Sequence, residues 1–225
     1  MTFFKKALAI VEKDIKAEFQ SKEMLSVMLV FALIMLVIFN FAFDVKKQIV
    51  NDIFPGIIWI TFFFSGLLGL NRSFFIEKNQ DCLLGLMLAP VDRSVIFLGK
   101  MLSNLVFLLI IEILTLPLFF IFLNIPVPQK FGFFLIILFF GSLGFVAIGT
   151  FLAALAANTR ASDILLPVLL FPVLIPVILG SVAATKGVFF NLPFSEWSIW
   201  LKILGVYDLL FIVVPLMLFE TLLEV

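Results

Sequence analysis

Two carboxylates stand inside otherwise apolar stretches, and no other residues of the chain are better placed to do chemistry. Glu112 lies near the middle of one stretch, and Asp208 lies in another beside Tyr207, the only tyrosine. A carboxylate in hydrocarbon is costly, which makes each residue a candidate for proton relay or substrate contact. A neutral, hydrogen-bonded structural role explains them equally well, and nothing in the sequence places the two together.

The chain lacks the residues that other kinds of catalysis usually require. The chain has no histidine and one cysteine, Cys82, so the commonest general base and metal ligand is missing and no intrachain disulfide can form. It has no G-x-x-x-x-G-K-[ST] phosphate loop, since the nearest fragment, Gly99-Lys100, is followed by Met101. We therefore predict a non-catalytic chain with no metal site, no directly bound cofactor and no ATP of its own.

The elements that position these carboxylates are six long apolar stretches. The chain is 64% apolar and 13% charged, against about 45–50% and about 25% in soluble domains. A helix needs about 20 apolar residues to cross a bilayer core. The stretches are residues 24–43, 53–70, 101–123, 131–156, 164–183 and 199–218. We predict an all-α polytopic membrane protein, a single domain over residues 1–225. Its net charge of zero argues against nucleic acid as a partner.

Residues 1–23 carry nine charges on an amphipathic pattern and are predicted to form an interfacial helix on the inner membrane surface. Apolar residues recur at steps of three and four: Phe4, Leu8, Val11, Ile15 and Phe19. The opposite face places Glu12 four residues before Lys16, and Glu18 four before Lys22. Contact with membrane lipid is the favoured interpretation, and a helix packed on a partner is the alternative.

Residues 71–93 form the most polar segment between two apolar stretches. An amphipathic helix on the inner side would offer a partner protein an apolar face to grip. The predicted docking residues are Arg72, Glu77, Asp81, Leu83, Leu84, Leu86, Met87 and Pro90. A surface helix that only turns the chain between two spans fits the pattern equally well.

The fourth and fifth apolar stretches carry features of helix packing and bending. Small residues, among them Gly144 and Gly149, let helices approach closely, either at a sliding or gating interface or in static packing. Pro167, Pro172 and Pro176 each predict a kink or break in the fifth stretch. The bend suits either a helix that changes shape or a fixed fit to its neighbours.

The distribution of basic residues predicts the orientation. With the N-terminus inside, the inner segments hold ten Lys and Arg residues and the outer segments hold five. Six crossings return the C-terminus to the inside. We therefore predict a multi-pass protein with both termini cytoplasmic. Residues 186–198 then lie outside, with Trp197 and Trp200 as anchors in the outer interface.

Several blocks of the sequence resemble one family of membrane proteins. They are PGIIWI at 55–60, the inner segment 72–90 ending in LMLAP, and GSLGFVAIGTFLAALAANTRASDILLPVLLFPVLIPVILG at 141–180. In order and over nearly the whole chain they resemble the cytochrome c maturation protein B family, also called haem exporter B subunits. These belong to the type-2 permeases of ATP-binding-cassette transporters. One departure is Asp81-Cys82, which stands where many such permeases have Gly-Ser or Gly-Thr.

The resemblance implies a permease subunit in the bacterial inner membrane. A separate cytosolic ATPase would bind ATP, dock on residues 72–90 and move the spans. The complex would serve cytochrome c assembly with a haem-handling membrane subunit and a periplasmic haem chaperone, by exporting haem or releasing the loaded chaperone. Six spans are half the usual complement of such a transporter, which makes a homodimer plausible.

Two alternatives to this function stay open, namely export of another amphipathic cargo and a non-transporting membrane scaffold. Haem as cargo raises the question of its ligands, which in proteins are usually His, Cys, Met or Tyr. The chain offers no histidine, and Cys82 is expected at the inner surface. We therefore favour a conformational role over haem ligation.

Overall fold

The computed structural model describes residues 3–42, 47–79, 92–157 and 162–222, and within them it contains seven helices and no strand. The helices are α1 (Phe3–Ser21), α2 (Glu23–Ala42), α3 (Lys47–Asn79), α4 (Arg93–Phe122), α5 (Phe131–Ala157), α6 (Ser162–Phe189) and α7 (Phe194–Leu222). The prediction of an all-α chain is confirmed.

Six of these helices, α2 to α7, are long and apolar enough to cross a membrane, which confirms the predicted number of spans. The two largest differences from the predicted boundaries lie on either side of the polar segment. α3 does not end near residue 70 but continues to Asn79, and α4 begins at Arg93 rather than near residue 101. At 1.5 Å per residue, the 33 residues of α3 are about 50 Å long. Its polar end therefore extends beyond a hydrocarbon core of about 30 Å, where polar side chains are tolerated.

α3 and α5 form the centre of the bundle. α3 packs against α2, α4, α5 and α6, and α5 packs against α3, α4, α6 and α7. At one end, four phenylalanines from four helices form a cluster with ring centroids 5.2 to 6.3 Å apart. They are Phe54, Phe120, Phe134 and Phe189. Such tilted and edge-to-face contacts stabilise a helix bundle beyond the area they bury.

α2 and α7 lie at the periphery and expose apolar side chains along their outer faces. On α2 these include Val30, Ile34 and Val37, and on α7 they include Val206 and Leu209. A face of this kind is unfavourable in water and favourable against lipid. The outer surface therefore agrees with a bundle solvated by a bilayer.

The three prolines of α6 do not break it, since the helix runs from Ser162 to Phe189. Pro172 and Pro176 are exposed at the surface of the bundle. On an outer face, a proline ring bends a helix without displacing a packed neighbour.

Residues 186–198 are largely exposed, as predicted, but Trp197 among them is buried. α6 continues to Phe189, a short turn follows, and α7 begins at Phe194. Trp197 is buried against Gly187 and the rings of Phe133 and Phe194. The prediction was wrong for Trp197, because its ring packs inward at the turn between α6 and α7 and its Nε1 donates to the carbonyl of Leu192.

Candidate functional site

Glu112 lies on α4, faces α5 and is fully buried at 0% exposure. The hydroxyl of Ser142 on α5 donates a hydrogen bond of 2.5 Å to its Oε1, while Oε2 has no hydrogen-bond partner among the described residues. Thr115, three residues further along α4, donates to the carbonyl of Ile111 on its own helix rather than to Glu112. One carboxylate oxygen of Glu112 therefore accepts a hydrogen bond from the next helix, and the other accepts none from the described residues.

A second polar contact links α4 and α5 in the same register. Asn104 Nδ2 donates to Thr150 Oγ1 over 3.1 Å. Asn104 and Glu112 are eight residues apart on α4, and Ser142 and Thr150 are eight apart on the antiparallel α5. The two contacts are thus about 12 Å apart along the helices. Because both must form at once, they fix how far α4 can slide along α5.

Asp208 on α7 is 3% exposed, and neither of its carboxylate oxygens has a hydrogen-bond partner among the described residues. It fits only because α5 has a glycine opposite: a Cβ added at Gly144 would lie 2.4 Å from Asp208 Oδ1. The neighbouring Tyr207 hydroxyl does not bond Asp208 but donates to the carbonyl of Val173 on α6 over 2.9 Å.

The two buried carboxylates contact different sides of α5. Ser142, which bonds Glu112, and Gly144, which contacts Asp208, project from the helix about 160° apart, since each residue turns by about 100°. General acid–base pairs act on one bound substrate from one cavity. The geometry therefore supports two separate polar sites rather than a carboxylate pair.

A third polar site joins α3, α5 and α6 one helical turn from Asp208. Trp59 Nε1 on α3 donates to Thr185 Oγ1 on α6 over 2.9 Å. A Cβ added at Gly141 would lie 2.3 Å from the Trp59 ring and 2.6 Å from Ser181 Oγ. That hydroxyl is buried and has no hydrogen-bond partner among the described residues. From the sequence, Gly141 stands out only as one of the small residues of the fourth stretch, and Trp59, Ser181 and Thr185 were assigned no site. A tryptophan and small polar residues in apolar spans are the visible signal of such a contact.

The surface helix α1 is fixed to the first turns of α4. Ala7 and Ile10 pack against Val95 and Ile96, and a Cβ added at Gly99 would lie 2.8 Å from Ile10 Cβ. This close apolar contact holds α1 against the bundle.

An ion pair strengthens the contact between α1 and α4. Lys100 Nζ lies 2.8 Å from Asp14 Oδ2, and the two side chains are only 5% and 11% exposed. Lys13 Nζ also lies 3.0 Å from Asp14 Oδ1. This pair could not be predicted from the sequence, because 86 residues separate its partners.

The apolar stripe of α1 is divided between the bundle and the exterior. Val11 is buried, whereas Phe4, Leu8 and Phe19 are largely exposed. The predicted Glu12–Lys16 pair is present at 2.6 Å and, with its hydrogen bond and charge, holds the pKa of Glu12 below its ordinary value. The exposed apolar side chains agree with the interfacial interpretation, which stays a prediction.

Glu18 does not lie on the charged face of α1 as expected. It is buried and accepts a hydrogen bond of 2.8 Å from the backbone N–H of Leu25, in the first turn of α2. Capping unpaired N–H groups at a helix start is a stabilising role for a carboxylate. Lys22, between the helices, has a φ of 55°, which turns the chain sharply.

The predicted docking segment is described only at its edges. Arg72 lies in α3 and forms an ion pair with Glu23 at the start of α2. Glu77 lies in the last turns of α3, and its side chain is not described. The remaining docking residues lie outside the described part of the chain: Asp81, Leu83, Leu84, Leu86, Met87 and Pro90.

Gly149 packs against Leu70, and a Cβ added at Gly149 would lie 2.5 Å from Leu70 Cδ1.

A recess of about 200 Å³, which includes space open to the exterior, lies among α2, α3, α4 and α5. Met24, Met28, Asn104 and Phe107 are among its lining residues. Pockets that enclose a small molecule measure about 300–1,000 Å³. The recess is therefore too small for haem as it stands, although thioethers can bind haem iron.

The chain matches a known family over nearly its whole length. The family model described as "CcmB protein" matches residues 5–221. Heme exporter protein B of Pseudomonas aeruginosa is 27% identical over 173 residues, which cover 77% of each chain. Heme exporter protein B of Rhodobacter capsulatus is 26% identical over 180 residues, which cover 80% of this chain and 82% of that protein. The resemblance read from residues 55–60, 72–90 and 141–180 is thus confirmed, and this chain belongs to the CcmB protein family.

Proposed function

We propose that this chain is the permease subunit of an ATP-binding-cassette complex for cytochrome c biogenesis. The observation that carries the proposal is the family match over residues 5–221, together with relatives named heme exporter protein B. A partner subunit binds and hydrolyses ATP, and this chain converts the partner's movement into haem export or release of a haem-loaded periplasmic chaperone. A haem-handling membrane subunit completes the assembly.

The ATPase docks on the segment around residues 72–90. This segment leaves the bundle where α3 ends at Asn79 and returns where α4 begins at Arg93. Three contacts stiffen the same end of the bundle: the Glu23–Arg72 pair, the Asp14–Lys100 pair and the bond from Leu25 to Glu18. A force applied to the segment would therefore pass into α1, α2 and α4 together.

This end of the bundle faces the cytoplasm, and the protein resides in the bacterial inner membrane with both termini inside. The twofold excess of basic residues in the inner segments supports the orientation. The exposed Phe4, Leu8 and Phe19 of α1 insert into the inner lipid surface, with Lys5 and Lys16 on the adjacent face within reach of headgroups.

This chain acts by changing shape rather than by ligating haem iron. The recess that contains Met24 and Met28 is smaller than a haem site requires. Tyr207, a further candidate ligand within the spans, directs its hydroxyl to the carbonyl of Val173. We expect the purified chain to bind haem no better than an unrelated apolar membrane protein. A stoichiometric haem spectrum that a single Met24, Met28 or Tyr207 substitution abolishes would contradict this role.

The test of the proposal is purification of the tagged chain from native membranes, followed by assay of ATP hydrolysis. We expect an ATP-binding-cassette ATPase and a haem-handling membrane subunit to copurify. Leu84→Asp or Leu86→Asp should abolish the stimulation of ATP hydrolysis by this chain, because a charge in the docking face cannot be desolvated.

A matched control places the same charge at the opposite end of the bundle. Asn124 and Asn191 are exposed turn residues with φ of 52°, a conformation that aspartate also adopts. Asn124→Asp and Asn191→Asp should leave ATP hydrolysis unchanged. Equal loss in both sets of variants, or no loss at Leu84 and Leu86, would contradict the docking assignment. Copurification without any ATPase would favour the scaffold alternative.

A further inference from the structure

Two unpartnered polar side chains from different helices are directed at one glycine patch on α5. The patch consists of Gly141 and Gly144, which lie one turn apart. A Cβ added at Gly144 would lie 2.4 Å from Asp208 Oδ1, and one added at Gly141 would lie 2.6 Å from Ser181 Oγ. Both side chains are more than nine-tenths buried and have no hydrogen-bond partner within the described bundle. We name this contact of α5 with α6 and α7 the glycine seam.

Among the described residues, no cation lies on the part of a packed helix that faces Asp208, and Lys202 on α7 itself is exposed. α5 carries no ionisable residue, and the described charged residue of α6 is the exposed Lys186, near its far end. On α4, Arg93 and Lys100 lie in the first turns, and Glu112 bonds Ser142 on another side of α5. On α7 itself the adjacent ionisable group is Tyr207.

An ionised carboxylate in this setting would be buried with neither a counter-ion nor a hydrogen-bond donor among the described residues. Such a group is so costly inside a membrane that it takes up a proton or draws in water. Asp208 Oδ1 lies against Gly144 of α5, and the Asp208 side chain is only 3% exposed. The closed seam is therefore compatible with the neutral acid and incompatible with the carboxylate.

We propose that Asp208 is a proton-binding site that controls opening of the glycine seam. In the closed seam the side chain is a carboxylic acid. When its O–H bond breaks, the proton passes to water and the carboxylate stays on α7, which requires α7 to separate from α5 and admit that water. Reclosure takes a proton back from water. This inference does not depend on the proposed role in haem export, because it rests only on how α5, α6 and α7 pack.

Infrared spectroscopy of the purified chain at neutral pH tests the protonation. We expect the carbonyl stretch of a protonated carboxylic acid, part of which is lost in Asp208→Asn. The Glu112→Gln variant should keep the part of this band that comes from Asp208. This variant therefore tests the protonation of Asp208 even if the D208N chain fails to fold. A folded D208N chain with an unchanged band, or a Glu112→Gln chain with no such band, would overturn the proposal.

Thiol labelling tests the opening. In a Cys82→Ser background, Ser181→Cys places a thiol in the seam, and a water-soluble reagent is applied from about pH 6 to about pH 9. Labelling should rise more with pH when position 208 is aspartate than in the D208N chain, which has the same thiol but no acid to titrate. Identical pH profiles in the two chains would overturn the link between the acid and the opening.

Discussion

The ion pair between Asp14 on α1 and Lys100 on α4 should contribute strongly to stability, and the two partners should contribute unequally. The pair measures 2.8 Å and is nearly buried. Removing one partner of a buried pair costs about 3–5 kcal/mol, because the other charge stays in a poor solvent. Asp14 also has Lys13 at 3.0 Å, so it keeps one cation when Lys100 is lost.

We therefore expect Asp14→Leu to lower the free energy of unfolding by about 3 kcal/mol, because it removes the carboxylate that pairs with both Lys100 and Lys13. Lys100→Met keeps the apolar stem and leaves Asp14 paired with Lys13, so its cost should be about 1 kcal/mol. The double variant replaces the ion pair by an apolar contact and should cost no more than about 2 kcal/mol, which gives a coupling energy of about 2 kcal/mol.

The assay is reversible unfolding of the purified chain in mixed detergent micelles, followed by tryptophan fluorescence. The exposed Glu12–Lys16 pair is the matched control on the same helix. Glu12→Gln should leave stability unchanged, because water screens both charges. Additivity of the two single effects to within about 0.5 kcal/mol would refute the reasoning, since it would mean that Asp14 and Lys100 do not interact.

Two further predictions concern the centre of the bundle. Gly144→Ala should destabilise the chain by about 1–3 kcal/mol, because its Cβ would meet Asp208 Oδ1 at 2.4 Å. Gly205→Ala, on α7 with nothing within 4 Å of the added Cβ, should be neutral in the same unfolding assay, and equal effects would contradict the packing. Trp59→Phe should cost about 2 kcal/mol, because Thr185 Oγ1 loses its donor. The control is Thr185→Val, which removes the acceptor of this hydrogen bond. If Thr185→Val costs as much stability in the Trp59→Phe chain as in the original chain, the hydrogen bond does not stabilise the contact.

The features that could be predicted from the sequence are those encoded locally. Six apolar stretches of sufficient length gave the six spans, and alternating charges on one face gave α1 and the Glu12–Lys16 pair. Both rest on residues within one or a few helical turns of each other. Boundaries were less accurate, as α3 shows, because polar residues such as Arg72 continue a helix beyond the hydrocarbon.

The contacts of the buried carboxylates could not be predicted, because they join helices that are apolar on every side. α5 contains no charged residue and has no polar face, so periodicity does not indicate which side meets which neighbour. Ser142 is 30 residues from Glu112 in the chain. Glycine at position 144 signals close approach of another helix but does not identify Asp208 as the group that approaches.

Labelling of the native Cys82 tests the central claim, that residues 72–90 face the cytoplasm and bind an ATPase. Cys82 is the only cysteine of the chain and lies within this segment. A membrane-impermeant thiol reagent should label it in inside-out vesicles stripped of the ATPase, fail to label it in intact cells, and lose access when the ATPase is added back. Labelling of Cys82 from outside intact cells would contradict the account.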